Sequence, residues 1–167
     1  MNYHNITKCD MNNGQGLRSV LWVSGCNHNC LGCHNPQTHD VCSGIPFDES
    51  AEQELFESLN YSYIDGITFC GGSPLHENNR AEVLRLIKKF RELFPTKSVW
   101  LYTGYTYEEI QNIPDAKEVV ENCDVLIDGR FILSLKDNNL HWRGSSNQRV
   151  IDIKKTLACG KIILVED

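Results

Sequence analysis

Short apolar runs recur along the chain and alternate with segments whose apolar residues return every three or four positions. The runs are rich in β-branched and aromatic residues, which is typical of strands. We predict strands at 17–24, 64–70, 98–103, 125–127, 149–153 and 161–165. Between the runs, the longer period is that of an amphipathic helix. We predict helices that begin near Asp48, span 79–94, follow the capping-box pair Thr106 and Glu109, and span 115–122.

The elements alternate between strand and helix, an order that predicts an α/β fold with a mostly parallel sheet and flanking helices. A closed eight-unit βα barrel needs about 200 residues or more, and the chain has 167. We therefore expect an incomplete, open βα barrel-like sheet. Ligands of such sheets bind beyond the carboxyl ends of the strands. Four turns should meet there, at 26–33, 71–74, 103–105 and 128–129.

Composition and charge narrow the possible partners. The net charge of −6 argues against nucleic acid as a partner, since a duplex-binding protein normally carries a basic face. No run of about 18 apolar residues occurs, so we expect no membrane partner. The first residues lack the basic and then apolar layout of a signal peptide, which predicts a cytoplasmic protein.

Eight cysteines are many for such a chain, and three of them, Cys26, Cys30 and Cys33, fall within eight residues. Cytosolic thiols stay reduced, so this cluster indicates a metal rather than disulfides. A structural zinc site needs a fourth ligand, for which His28, His34, His39 and Cys42 are available. An iron–sulfur cluster on three cysteines would leave one iron open to a ligand. We expect the other cysteines to be buried as small apolar residues, at positions 9, 42, 70, 123 and 159.

The segment from Cys26 to Cys33, C-N-H-N-C-L-G-C, resembles the cluster motif of radical S-adenosylmethionine enzymes. Further segments resemble, in order, the family of anaerobic ribonucleoside-triphosphate reductase-activating proteins, which are small glycyl-radical activases. These segments lie at 13–18, 23–26, 32–35, 71–75, 103–105, 128–131 and 142–148. The motif alone is typical of the superfamily, whereas the run W-R-G-S-S-N-Q and the short length point to the family.

The resemblance implies that Cys26, Cys30 and Cys33 hold one [4Fe–4S] cluster whose fourth iron binds S-adenosylmethionine. One electron would cleave this cofactor to methionine and a 5′-deoxyadenosyl radical, which would take hydrogen from a glycine of the reductase. The implied partners are the anaerobic reductase and a low-potential electron donor such as flavodoxin. No catalytic side chain is expected beyond the cluster and the cofactor, because the difficult chemistry belongs to these groups.

Eight residues are candidates for binding S-adenosylmethionine: Gly32, Cys33, His34, Gly71, Gly72, Ser73, Arg18 and Asp128. Two of them depart from the family pattern. Ser73 stands where an acid is usual, which predicts weaker cofactor binding, and His34 stands where an aromatic residue is usual. Simpler interpretations remain open for each side chain and for the glycine turn. The turn would only connect two elements, His34 would be an exposed loop residue, Arg18 would form an ion pair at a strand end, and Asp128 would shape a turn.

We expect residues 1–153 to form the activase domain and 154–167 to be an extension to which we assign no role. Arg130 and the segment 142–148 either contact the partner or are solvated. The open side of the sheet would admit a loop of the partner. Two alternatives remain: another small radical S-adenosylmethionine enzyme, either a different glycyl-radical activase or a tailoring enzyme, and a zinc-binding adaptor.

Overall fold

Four of the predicted apolar runs lie side by side as the parallel centre of a seven-stranded sheet. The computed structural model describes residues 1–166. Its strands are β1 (Asn2–Asp10), β2 (Arg18–Val23), β3 (Ile45–Pro46), β4 (Gly66–Gly71), β5 (Ser98–Tyr102), β6 (Val125–Asp128) and β7 (Arg149–Asp152). They are ordered β3-β1-β2-β4-β5-β6-β7 across the sheet. β2, β4, β5 and β6 are parallel, while β1, β3 and β7 join the two edges through antiparallel pairs.

The sheet does not close into a barrel, because β3 and β7 are its edges rather than neighbours. This confirms the predicted α/β class with an incomplete, open sheet. Antiparallel strands extend both edges of the sheet. The strand–helix alternation did not predict the two at the amino-terminal side, β1 and β3. The carboxyl ends of the four parallel strands all point to one edge, where the site lies.

Five helices accompany the sheet: α1 (Glu49–Leu59), α2 (Arg80–Leu93), α3 (Tyr107–Ile110), α4 (Pro114–Glu121) and α5 (Ile153–Cys159). The α1 helix begins where Asp48 accepts a hydrogen bond from the amide of Ala51, at 3.0 Å. The α3 helix begins with the predicted capping box, in which Thr106 and Glu109 bond each other's main-chain amides. Local sequence therefore determines where these two helices start.

The two faces of the sheet differ in what covers them. The helix-covered face buries the main core, which includes Leu21, Phe69 and Leu101 together with Phe90 of α2. Burying these side chains between the sheet and the helices removes them from water, which stabilises the packing of the helices on the sheet. The opposite face carries a smaller apolar cluster around Trp100 and, toward the carboxyl edge, the walls of a cavity.

Three differences separate the predicted elements from the observed ones. The strand β1 was not predicted, because its buried residues Tyr3 and Ile6 are three positions apart rather than two. A register shift between Tyr3 and Asn5 disturbs the alternation. Residues 154–159, for which no element was predicted, form most of the helix α5. The predicted strand at 161–165 is wrong, since only a single bridge, from Leu164 to Ile151, forms there.

Residues after Ile153 stay attached to the sheet. The amide of Val165 donates to the carbonyl of Val150 at 2.9 Å, and the amide of Ile163 donates to the hydroxyl of Thr156 at 2.9 Å. The boundary between 1–153 and 154–167 stays a prediction. Across residues 1–166, none of the helices combines the length and the apolar character needed to cross a membrane.

Candidate functional site

The turns that follow the four parallel strands converge on one cavity of about 270 Å³. Because these strands are parallel, their carboxyl ends meet at the same edge, as predicted. The cavity is lined from β2 by the cysteine loop, from β4 by the glycine turn, from β5 by Thr103 and Gly104, and from β6 by Gly129. Trp22, Tyr102 and Phe131 add large rings to its wall.

The cysteine loop is held at its base by main-chain hydrogen bonds. The amides of Gly25 and Cys26 donate to the carbonyls of Thr38 and His39, at 2.8 and 3.0 Å. Beyond this base, Asn29 and Gly32 adopt left-handed conformations, with φ of +46° and +73°. These two reversals fold eight residues into a compact loop whose three cysteines all line the cavity.

The environment of the thiols is partly buried. Burial raises the pKa of the Cys26 thiol, a main-chain hydrogen bond from His28 opposes this, and the nearby Cys30 and Cys33 raise it further. The sulfur of Cys33 accepts a hydrogen bond from the amide of Asn35 at 3.4 Å. Cysteine binds metal in its thiolate form.

A three-cysteine loop fits an open iron–sulfur cluster by the chemistry of its donors. Within residues 1–166, no three Cys, His, Asp or Glu side chains converge on a point where one metal ion could bind. The cysteine ligands of a [4Fe–4S] cluster do not need to converge, because each binds a different iron atom. The same wall carries an unpaired polar atom, since the buried Nε2 of His28 has no hydrogen-bond partner in the described part of the chain.

The glycine turn packs directly on the cysteine loop. The amide of Gly72 donates to the carbonyl of Val23 at 2.8 Å, and the amide of Ser73 donates to that of Gly25 at 2.7 Å. A Cβ atom added to Gly72 would lie 2.6 Å from the oxygen of Gly25, and Gly71 has a φ of +101°. The two glycines therefore allow two main chains to approach each other, as well as keeping the cavity wall free of side chains.

One residue that joins these two loops was missed by sequence reasoning. Asn79, which is fully buried before α2, donates from Nδ2 to the carbonyls of Ser24 and Ser73, at 2.7 and 3.0 Å. Its only sequence signal was a polar residue at a helix start, which is common. Its side chain does not cap α2 but ties the cysteine loop to the glycine turn.

The side chain of Ser73 is buried and bonded rather than free. Its hydroxyl lies 3.2 Å from that of Thr103, whose Oγ1 also accepts a hydrogen bond from the amide of Tyr105, at 3.3 Å. Ser73 is 2% exposed and does not line the cavity, unlike Gly71 and Gly72. Its hydroxyl thus connects the turns after β4 and β5, and its effect on cofactor affinity stays a prediction.

His34 and Gly32 lie at the outer rim of the site. The ring of His34 is exposed, lines the cavity and lies 5.0 Å from the ring of Phe131. Its other side approaches Gly144, where an added Cβ would lie 3.2 Å from the imidazole. Gly32 is exposed beside Leu133 and does not line the cavity. Both residues are candidates only for contacts at the mouth.

Arg18 takes a structural position, and its predicted contact with the cofactor stays a prediction. It lies at the start of β2, away from the carboxyl edge, and is fully buried. Its guanidinium donates to five acceptors on Gln15, Ile67, Thr68 and Ser98 and lies over the ring of Trp100. Burial lowers its pKa to about 10. Among the described residues its hydrogen-bond acceptors are carbonyls and hydroxyls rather than a carboxylate, so the ion-pair alternative is wrong.

Asp128 also belongs to the scaffold rather than to the cavity wall. Its buried carboxylate accepts hydrogen bonds from Arg149 at both oxygens and from the amide of Tyr107 at 2.8 Å. It does not line the cavity, and its predicted contact with the cofactor stays a prediction. The ion pair fixes the end of β6 against the start of β7 and of α3.

Gln148 closes the wall beside Gly129. Its Oε1 accepts from the amides of Gly144 and Ser145, at 2.9 and 3.1 Å, and its Nε2 donates to the carbonyl of Gly129, at 3.0 Å. Trp142, in the same segment of the chain, packs against Trp100, with ring centroids 5.0 Å apart. Part of the segment 142–148 is therefore structural, which its sequence did not indicate.

The remaining cysteines divide into two groups. Cys70 and Cys123 are buried as predicted, whereas the burial expected for Cys9, Cys42 and Cys159 is wrong because these are exposed. Cys70 lines the cavity, but burial raises the pKa of its thiol well above the usual value. Cys70 therefore stays a protonated packing residue at neutral pH.

Comparisons with known proteins agree with this geometry. The family model of the 4Fe-4S single cluster domain matches residues 12–151. An anaerobic ribonucleoside-triphosphate reductase-activating protein of Escherichia coli (strain K12) is 43% identical over 152 residues, covering 90% of this chain and 97% of that protein. The protein of the same name from Enterobacteria phage T4 is 43% identical over 150 residues, covering 90% and 93%. One from Pasteurella multocida (strain Pm70) is 41% identical over 150 residues, covering 89% and 95%.

Proposed function

The chain belongs to the 4Fe-4S single cluster domain family and to the anaerobic ribonucleoside-triphosphate reductase-activating proteins, and on this basis we propose that it activates such a reductase. The observation that carries the proposal is that Cys26, Cys30 and Cys33 line one cavity at the carboxyl edge of the sheet. Three thiolates would hold a [4Fe–4S] cluster and leave its fourth iron for S-adenosylmethionine.

When bound, the cluster and S-adenosylmethionine would supply the chemistry: one electron would cleave the sulfonium to methionine and a 5′-deoxyadenosyl radical, which would take a hydrogen atom from a glycine of the reductase. The protein contributes binding, orientation and protection of the cavity from water. Trp22, Tyr102 and Phe131 supply large rings to the wall, which limits the entry of water. The electron comes from a low-potential donor, for which a flavodoxin is our proposal.

We place S-adenosylmethionine against Cys33, His34, Gly71 and Gly72, which line the cavity beside the cysteine loop. The absence of side chains at the two glycines leaves main-chain groups to face the amino and carboxylate groups of the cofactor. Gly32 shapes the loop, and Ser73 acts through its bond to Thr103. Ser73 is therefore a positioning residue rather than a direct contact.

The test is anaerobic reconstitution of the protein with iron and sulfide, followed by addition of reductant and S-adenosylmethionine. We expect 5′-deoxyadenosine to form, and Cys30→Ala to abolish both its formation and the bound iron. Cys42→Ala is the matched control, because Cys42 is an exposed cysteine near the same loop and should leave both unchanged. A fully loaded protein that forms no 5′-deoxyadenosine would refute the proposal.

Activation itself is measured on the reductase. After incubation with the loaded protein, electron paramagnetic resonance should show a glycyl radical on the reductase, and this signal should require S-adenosylmethionine. Turnover of a free small molecule without a protein radical would instead support a tailoring enzyme. We place this reaction in the cytoplasm, where a reducing environment keeps the thiols of Cys26, Cys30 and Cys33 available to the cluster.

A further inference from the structure

An exposed apolar surface borders the mouth of the cysteine cavity. We call it the entrance patch and define it as Leu31, Phe131, Ile132 and Leu133. Leu31 is 79% exposed, Ile132 41% and Leu133 46%. Large apolar side chains exposed together in this way commonly mark an interaction site. Single exposed leucines elsewhere on the described chain, such as Leu157 of α5, require no such explanation.

The entrance patch is continuous with the cavity. It lines a shallow depression of about 470 Å³, and Phe131 belongs both to this depression and to the cavity wall. The ring of Phe131 packs on His34, the residue directly after the third cysteine. Leu31 lies between Cys30 and Cys33 within the loop itself. A molecule that covers the entrance patch therefore contacts Phe131, whose ring also belongs to the wall of the cysteine cavity.

The patch is held in place by contacts to the site. Leu133 packs against Gly32, where an added Cβ would lie 2.9 Å from a Leu133 methyl group. The amide of Ile132 donates to the hydroxyl of Ser145 at 3.2 Å, and the amide of Ser146 donates to the carbonyl of Leu135 at 2.9 Å. A fixed apolar surface loses little conformational freedom when a partner binds, which favours affinity.

We propose that the entrance patch is the docking surface for the reductase segment that carries the target glycine. This proposal rests on the proposed function. A glycine that gives up a hydrogen atom in the cavity must be brought past its mouth by the segments on either side of it. Apolar side chains of those segments would bury Leu133 and Ile132. Burial there would supply affinity and would shut water out of the cavity while the radical exists.

The reductase segment that would cover the patch is accordingly apolar. Charged residues beside the patch in this chain provide a second contact. Arg130 and Lys136 flank the patch in sequence, and both are cationic although the chain as a whole carries a net charge of −6. An apolar segment with acidic residues beside it is complementary to this surface. Charges of this kind steer association more than they determine affinity.

The test measures binding and chemistry separately on cluster-loaded protein. Leu133→Ser is compared with Leu157→Ser, a matched control because both leucines are 46% exposed and Leu157 lies on α5. We expect Leu133→Ser to weaken the affinity for purified anaerobic ribonucleoside-triphosphate reductase by about tenfold or more, as for a residue at the centre of an interface. Formation of 5′-deoxyadenosine without reductase should stay within about twofold of the original protein. Leu157→Ser should change neither quantity.

A second variant keeps the test decisive if Leu133→Ser disturbs the cysteine loop, which bound iron would reveal. Ile132→Ser alters the patch at a different side chain, since the atoms nearest to an added Cβ at Gly32 belong to Leu133, and it should weaken binding in the same way. Equal reductase affinity in the patch and control variants would overturn the proposal. So would a change in self-association by light scattering with unchanged reductase affinity, because the patch would then contact a second copy. Failure to form 5′-deoxyadenosine in the original protein would instead refute the proposed function.

Discussion

Asn79→Ala should separate the cysteine loop from the glycine turn. The substitution removes the donor that serves the carbonyls of Ser24 and Ser73. Leaving the buried carbonyl of Ser24 unpaired costs about 2 kcal/mol. The carbonyl of Ser73 keeps a hydrogen bond from the amide of His76, so losing its second donor costs about 1 kcal/mol. Removing the unpaired, buried Oδ1 of Asn79 offsets about 1 kcal/mol. The expected loss in the free energy of unfolding is therefore about 2 kcal/mol, a sizeable share of the roughly 5–15 kcal/mol of a typical domain.

Urea unfolding under anaerobic, reducing conditions measures this loss. With a slope of about 2 kcal/mol per molar urea, the midpoint should fall by about 1 M. Asn112→Ala is the control, because its amide makes one exposed hydrogen bond to Glu108 and should cost no more than about 0.5 kcal/mol. Reconstituted Asn79→Ala should also bind less iron, since the base of the loop is loosened. A shift equal to that of Asn112→Ala, with full iron binding, would refute the reasoning.

Three further substitutions test other parts of the scaffold. Gly72→Ala places a methyl group 2.6 Å from the oxygen of Gly25, so iron binding should fall sharply, and a fully loaded variant would contradict this account. Arg18→Lys replaces five donors by three and should cost about 2–4 kcal/mol in urea unfolding, while the affinity for S-adenosylmethionine should not change. Hydrogen bonds from Arg149 lower the pKa of Glu108 to about 2. Glu108→Gln should therefore destabilise the protein at pH 7, by at most about 1 kcal/mol because the side chain is 61% exposed. This difference should shrink as the pH falls below about 4.5 toward 2, and a difference that grows on acidification would contradict the assignment.

Sequence patterns predicted the parts of the fold that depend on local order. The apolar runs of β2, β4, β5 and β6 and the convergence of their turns follow from periodicity and from the geometry of parallel sheets. The strand β1 was missed because it has a largely polar sequence and a disturbed register. No local pattern could reveal the structural partners of Arg18 or Asp128, because these lie 50 and 21 positions away, on Thr68 and Arg149.

The same limit applies to the site. The spacing of the three cysteines was visible in the sequence because it is set within one loop. Asn79 was not, because its partner Ser24 lies 55 positions away and an asparagine before a helix is ordinarily a cap. Residues that hold two loops together are recognised only when both loops have been placed in space.

Gln148 closes the cavity wall beside Gly129, and its late position in the chain determines when during synthesis the site becomes enclosed. Cys26 is at position 26 and Gln148 at position 148, so 122 further residues are added after Cys26, the last of them Gln148. At about 5–20 residues per second, the cysteines leave the ribosome roughly 6 to 24 s before the side chain that completes their wall. During this interval the three thiols lack the enclosure that the finished cavity provides. The site for the cluster therefore becomes enclosed only after almost the whole chain has emerged. Oxygen has its easiest access to the three thiols before that moment.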